Sequence, residues 1–277
     1  MTRAFIFPGQ GSQAVGMGRT LADAFASARE VFEEVDDALE QKLSGLMWQG
    51  PEDELVLTEN AQPAIMAASL AIIAILKREG GFALARHARL VAGHSLGEYS
   101  ALCAAGAFTL SDTARLLKAR GRAMQSAVPV GEGGMSALLG AEIEQAEALA
   151  RECAAATGGV CVVANDNAPG QVVISGTKAA IDKAPEIAKA KGIKRAMALN
   201  VSAPFHCPLM QPAADKMREA LASVTIRPLA VPVVSNVTAA QTTELEVPVS
   251  SSRVTKTTPL AVPGRWRQVT APPIVTR

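Results

Sequence analysis

The sequence predicts a mixed α/β fold, one large unit with a smaller unit inserted in it. Three observations carry that prediction. Short apolar runs at residues 4–7 and 89–92 end at Pro8-Gly9 and at Gly93, each with helix-favouring sequence further on. Longer stretches around them place apolar residues at three- and four-residue steps, the helical period. Between about 133 and 200 the pattern tightens into an alternation of short apolar runs and amphipathic stretches.

The first run, residues 4–7, meets Pro8-Gly9 and suits a buried strand opening into a loop. Leu21, Phe25, Ala28, Phe32, Val35 and Leu39 then mark the apolar face of one helix, with Asp and Glu on the other side. A second helix is expected over residues 63–77. The strand at 89–92 stops at Gly93, and helix resumes over 96–105. In the compact region the order reads strand 135–139, helix 142–155, strand 160–164, strand 171–174, helix 178–191, strand 193–199. That β-α-β-β-α-β order is the ferredoxin-like arrangement. Val128-Pro129 and the glycines from Gly131 to Gly134 read as its hinge. The chain is expected back in the large unit near Asn200, giving units of 1–128 with 200–277, and of 129–199.

Bulk properties exclude several function classes. A chain of 277 residues with 49% apolar content has enough material for a large core. Its formal charge of +1 lacks the cationic excess of a nucleic-acid binder. The longest apolar run, 64–76, falls short of the roughly 20 residues that span a bilayer, so a buried helix is expected there. No secretory leader opens the chain, and a cytoplasmic protein is expected. Cys103, Cys153, Cys161 and Cys207 show no paired spacing and only three histidines accompany them, so no metal site is expected.

Gly93-His94-Ser95-Leu96-Gly97 fits G-x-S-x-G, at the strand-to-helix junction where that motif has chemical meaning. Small flanking residues permit a sharp turn that lifts the Ser95 hydroxyl clear, and the helix behind offers free N–H groups to a developing oxyanion. The alternative is a helix N-cap serine. A serine nucleophile needs a base. His87 lies in a charged segment and His94 on the turn itself, which leaves His206, between Pro204 and Pro208, as the candidate; a loop histidine satisfied by backbone is the other reading. Asp166 follows Ser95 in the usual order for a third member but falls in Asn165-Asp166-Asn167, read as a turn, so a Ser–His dyad is expected.

Arg120 shares a helical stripe with Leu116, Leu117, Ala123 and Met124 and should point inward, whereas Lys118 and Arg122 fall on what reads as the solvated face. An inward guanidinium needs an anion, either an internal Asp or Glu or a substrate carboxylate held through two hydrogen bonds. Pro8-Gly9-Gln10-Gly11-Ser12-Gln13 is either a flexible turn or a loop aiming a backbone N–H. Beside the elbow, the amides of Gln10 and Leu96 would form a two-donor oxyanion hole. No Gly-Lys-Ser/Thr follows, so it is not a phosphate loop.

Together, Phe7-Pro8-Gly9-Gln10-Gly11-Ser12-Gln13, Gly93-His94-Ser95-Leu96-Gly97-Glu98-Tyr99, Lys118-Ala119-Arg120-Gly121 and the loop from Ser202 to Cys207 resemble the malonyl-CoA:acyl carrier protein transacylases of bacterial fatty acid synthesis. The resemblance runs from about Arg3 to Asn236. It implies an α/β-hydrolase-like large domain with a ferredoxin-like insert. It further implies Ser95 as nucleophile, His206 as base, Arg120 as ligand of the malonate carboxylate, and the Gln10 and Leu96 amides as oxyanion donors. No cofactor beyond the coenzyme A thioester is implied. The partner would be an acyl carrier protein, and the chain a monomer. An acidic carrier would suit a basic rim, for which Lys191, Lys194, Arg195 and Arg115 are the candidates, with plain solvated surface as the other reading of each. Two rivals stay open: a thioesterase or esterase, and an inactive relative that binds the carrier protein. After about Thr243 the sequence departs from the family, whose members continue with a helix, a Gly-Pro-Gly turn and a closing strand and helix. A reading-frame change or altered terminus is expected there, with loose or edge structure over 255–262 and 271–277.

Overall fold

The computed structural model describes residues 3–199, 201 and 203–243. The expectations for the stretch after Thr243 therefore lie outside the described residues, as do Asn200 and Ser202. In chain order the elements are β1 (Ala4–Phe7), α1 (Arg19–Ala24), α2 (Ala26–Leu39), α3 (Leu43–Gln49), α4 (Glu52–Leu55), α5 (Thr58–Arg78), α6 (Leu84–His87), β2 (Leu90–Gly93), α7 (Leu96–Ala104) and α8 (Leu110–Ser126). They continue with β3 (Gly133–Leu139), α9 (Ile143–Thr157), β4 (Cys161–Ala168), β5 (Gln171–Thr177), α10 (Lys178–Ala190), β6 (Arg195–Ala198), a 3-10 turn (Pro208–Met210), α11 (Gln211–Ala222), β7 (Val233–Val234) and β8 (Gln241–Thr242).

The fold is mixed α/β with two four-stranded sheets. In the first the order is β1-β2-β7-β8; β1, β2 and β7 run parallel, and β8 returns antiparallel. The second is antiparallel throughout, in the order β4-β5-β3-β6, with α9 and α10 as its two crossovers. Parallel neighbours need long crossovers, which is why the residues between β1 and β2 form helices. Among these, α5 is the central one, burying Ala64, Ile65, Met66, Ala67 and Ala71 in the same core as Phe32, Leu102 and Leu117.

A second core fills the space between the antiparallel sheet and its helices, with Leu138, Leu149, Val172, Ile174 and Ile181 at its centre. A third cluster, Ala123, Met124, Met135, Val173, Ala203, Phe205 and Met210 among others, joins α8, the antiparallel sheet and the 203–210 loop. The loop that carries His206 is therefore anchored by apolar burial on both sides of the histidine.

Three expectations are corrected. The single helix expected through Leu21 and Leu39 is broken at Phe25, whose extended backbone (φ −129°, ψ 121°) separates α1 from α2 while the apolar period continues across the break. The second helix begins at Thr58, five residues before Pro63, because the proline is accommodated inside its second turn. Asn165, Asp166 and Asn167 are not a turn. They lie in β4, with Asn165 and Asp166 buried, and two register shifts, between Val163 and Asn165 and between Asp166 and Ala168, absorb the irregularity that the composition signals.

Candidate active site

Register places the elbow. Phe7 pairs with Gly93 across β1 and β2, so the loop after one strand and the turn after the other emerge side by side. The glycines make their approach possible: a Cβ on Gly93 would fall 1.9 Å from the backbone of Gly97, one on Gly97 would fall 2.4 Å from the Phe7 carbonyl, and one on Gly9 would fall 2.5 Å from His94 Nδ1. Ser95 itself takes φ 55° and ψ −109°, a left-handed backbone conformation that non-glycine residues adopt under constraint.

Ser95 Oγ lies 3.2 Å from His206 Nε2. His206 is buried and also has a positive φ, 58°, so both members of the pair are held in sparsely populated backbone conformations. Neither other histidine competes for the role. His87 Nδ1 accepts from the Ala83 N–H at 3.0 Å and its ring stacks on Phe82, while His94 Nε2 faces Asn167 Oδ1 at 3.2 Å. Burial lowers the His94 pKa, opposed by the Asn167 contact.

Arg120 points inward, 2% exposed. Its Nη2 donates to Ser95 Oγ at 3.1 Å, its Nη1 donates to Gln62 Oε1 at 2.8 Å, and its Cζ sits 5.7 Å from the Tyr99 ring centroid. Nε has no hydrogen-bond partner among the described residues, and none of the described ion pairs involves Arg120. In a guanidinium Nε–H and one Nη2–H point the same way, and that pair forms a planar fork that matches a carboxylate. Of the two anions considered for Arg120, the internal one is not found as a bonded partner; Glu98 acts on it only through space. Burial depresses the guanidinium's pKa, and Tyr99 and Glu98 oppose that.

Lys118 departs from expectation. It is 8% exposed, donates to Asn60 Oδ1 at 2.8 Å and pairs with Glu59 at 2.9 Å; exposed Arg122 reaches the same carboxylate at 2.8 Å. The cause is Gly121, where a Cβ would stand 2.4 Å from Glu59 Cα: α8 touches the start of α5 there, covering what a lone helix would expose.

The loop after β1 is knit by its own hydrogen bonds, Ser12 Oγ to the Gly9 carbonyl at 2.7 Å and the Gly11 N–H to Gln13 Oε1 at 2.8 Å, and Gln10 Nε2 donates to Thr58 Oγ1 at 3.3 Å. Leu96 is the first residue of α7 and its N–H has no preceding turn to bond. Sequence reasoning missed Gln62, Asn167, Glu98 and Asn236. Gln62, fully buried, lay one residue before the expected helix start; a polar side chain beside an apolar run was the available signal. Asn236, which accepts from the Ser95 N–H at 2.8 Å, is 141 residues away in sequence and gave none. Of the candidate rim, Lys191 is paired with Glu152 at 2.6 Å and Arg115 with Asp112 at 3.3 Å.

Residues 4–259 match the family of the acyl transferase domain. A malonyl CoA-acyl carrier protein transacylase of Bacillus subtilis (strain 168) is 47% identical over 243 residues, covering 87% of this chain and 74% of the relative. The chain belongs to the malonyl CoA-acyl carrier protein transacylase family. An acyl-carrier-protein-S-malonyltransferase structure from Bartonella henselae superposes with a TM-score of 0.85 at 53% identity, covering 88% of this chain and 77% of that one. A malonyl-transacylase solved in complex with its type II PKS acyl-carrier protein superposes at 0.83 with 43% identity, covering 88% and 77%. Family membership and the mixed α/β fold thus agree.

Proposed function

We propose that this enzyme transfers the malonyl group of malonyl-CoA to the pantetheine thiol of an acyl carrier protein through a malonyl-serine at Ser95. The observation that carries the site assignment is convergence on one hydroxyl: Ser95 Oγ has His206 Nε2 at 3.2 Å and Arg120 Nη2 at 3.1 Å, from elements far apart in sequence. A buried cation beside the nucleophile suits an acyl group that ends in a carboxylate, which is the malonyl group's distinguishing feature.

In the first half-reaction Ser95 Oγ attacks the thioester carbonyl while His206 Nε2 takes the hydroxyl proton. The carbonyl oxygen becomes an oxyanion, held by the N–H groups of Gln10 and Leu96. Collapse breaks the C–S bond, and His206 returns its proton to the departing coenzyme A thiolate. The carrier protein's thiol then gives its proton to His206, attacks the malonyl-serine carbonyl, and leaves with the acyl group as Ser95 recovers its proton. Arg120 exchanges its contact with Ser95 Oγ for the malonate carboxylate, with Gln62 steadying the far side of the guanidinium. No step calls for a metal or redox cofactor.

The parallel sheet with its helices is read as an α/β-hydrolase-like unit, residues 1–128 and 200–277, and the antiparallel sheet as a ferredoxin-like insert, residues 129–199. The strand order β4-β5-β3-β6 supports the second reading. A cytoplasmic monomer fits this assignment. Intact-mass analysis with malonyl-CoA alone tests the function: a lasting malonyl adduct on Ser95, discharged by added holo carrier protein, is expected. Rapid release of free malonate would make the protein a thioesterase, and no adduct would reject catalysis.

A further inference from the structure

β7 stops pairing with β2 at Val234, beside Ala92, just before the nucleophile turn. There a side chain takes over the ladder. Asn236 Oδ1 accepts from the Ser95 N–H at 2.8 Å while Nδ2 donates to the Gly93 carbonyl at 2.6 Å, so one carboxamide grips the backbone on both sides of His94. A planar amide carries an acceptor and a donor side by side, which a carboxylate or hydroxyl of similar size does not. The Asn236 N–H donates in turn to Glu98 Oε1 at 3.3 Å, and the Glu98 N–H donates to the Ser95 carbonyl at 3.1 Å, which closes a ring through the elbow. The segment bearing Asn236 is itself tied, with the Ser235 N–H on the Ala240 carbonyl at 3.0 Å and the Ala239 N–H on the Ser235 carbonyl at 2.9 Å.

Ser95 stands at φ 55° and ψ −109°, a conformation that persists only where the surroundings over-determine it. We propose that Asn236 is the positioning residue of the nucleophile: it fixes the Gly93 and Ser95 backbone so that Oγ faces His206, and it occupies the Ser95 N–H so that the adjacent Leu96 N–H is the elbow's oxyanion donor. Asn236 touches no reacting atom and acts only through Ser95. The inference rests on malonyl transfer at Ser95.

The test uses the full chain with Asn236→Ala and Asn236→Asp. Rapid-quench mass spectrometry over a malonyl-CoA series gives the maximal rate of Ser95 acylation and the half-saturating concentration separately, with rates normalised to the folded fraction from circular dichroism. The maximal rate is expected to fall about 100-fold in Asn236→Ala and about tenfold or more in the isosteric Asn236→Asp, which keeps the acceptor and loses the donor. Half-saturation should stay within about threefold of the parent, because Arg120 and Gln62 are untouched. Normalised maximal rates within about threefold of the parent would overturn the proposal, as would a raised half-saturation at unchanged maximal rate. If the alanine variant does not fold, the aspartate variant decides. The parent is the control: no adduct on it rejects malonyl transfer itself, whereas a labelled parent with equally fast variants rejects only the role of Asn236.

Discussion

Arg120 Nη2 donates to Ser95 Oγ across 3.1 Å, so the cation assigned to the substrate carboxylate and the nucleophile assigned to its carbonyl are in contact. A malonyl group spans a short, fixed distance between those two functions. An acyl group without the carboxylate would leave a buried charge unpaired once its carbonyl sat at Ser95.

Arg120→Ala should therefore lower acylation by malonyl-CoA by about 100- to 1000-fold relative to acetyl-CoA, the loss corresponding to about 3–4 kcal/mol for a buried charge pair. Arg120→Lys should recover little of this, since a single ammonium does not reproduce the Nε–Nη2 fork. Competition between the two thioesters for Ser95, read by intact mass, measures the ratio. An unchanged preference would remove Arg120 from carboxylate recognition.

Gln62 holds the opposite edge of the same guanidinium through Oε1 at 2.8 Å, and its Nε2 contacts Met124 Sδ at 3.6 Å. Gln62→Leu should keep the volume and release Arg120 Nη1. The apparent KM for malonyl-CoA is expected to rise about tenfold with a smaller change in kcat, and stability to fall by about 1–3 kcal/mol for the buried donor left unpaired. Steady-state kinetics and urea unfolding give both numbers.

The parts of this site that the sequence disclosed are those with a local cause. Ser95 was legible because tight packing requires glycine at 93 and 97, and Arg120 because helical period puts it on an apolar stripe. The order of the antiparallel sheet's elements was legible for the same reason, each strand and helix carrying its own period. What was hidden depends on meetings between distant segments. Lys118 is buried because Gly121 brings α8 against Glu59, Asn165 and Asp166 are strand residues because β5 pairs with them, and Asn236 matters because β7 ends beside the elbow.

Glu98 gives the site a pH signature. Burial raises its carboxyl to about 7 from the usual 4.5, against the Asn236 N–H and the Arg120 charge, which favour ionisation. A carboxyl whose folded pKa is raised contributes stability that is full below about 4.5 and lost as the pH climbs through about 7. The parent should thus lose on the order of 3 kcal/mol between pH 5 and pH 8, an upper figure from 1.36 kcal/mol per pKa unit. Glu98→Gln, which cannot ionise, should flatten that slope; urea midpoints at several pH values check it, and equal slopes in parent and variant would contradict the assignment.

Next to Arg120, α8 packs against the start of α5 at Gly121. A Cβ at 121 would lie 2.4 Å from Glu59 Cα, 2.7 Å from its amide nitrogen and 2.7 Å from the Thr58 carbonyl, all backbone atoms with no rotamer to yield. By helix propensity alone, Gly→Ala gains roughly 1 kcal/mol inside a helix. Gly45, in α3, is the matched control, since its added Cβ would meet nothing nearer than 4.0 Å. Gly45→Ala should stabilise the protein, whereas Gly121→Ala should destabilise it by about 1–3 kcal/mol as α8 is pushed off α5. The same displacement drags Arg120 from Gln62 and Ser95, so Gly121→Ala should lose malonyl preference as well. Thermal midpoints of the two variants read the first effect and malonyl against acetyl acylation reads the second. A Gly121→Ala protein as stable and as selective as the parent would mean that the helices tolerate the gap and that the aim of Arg120 is set elsewhere.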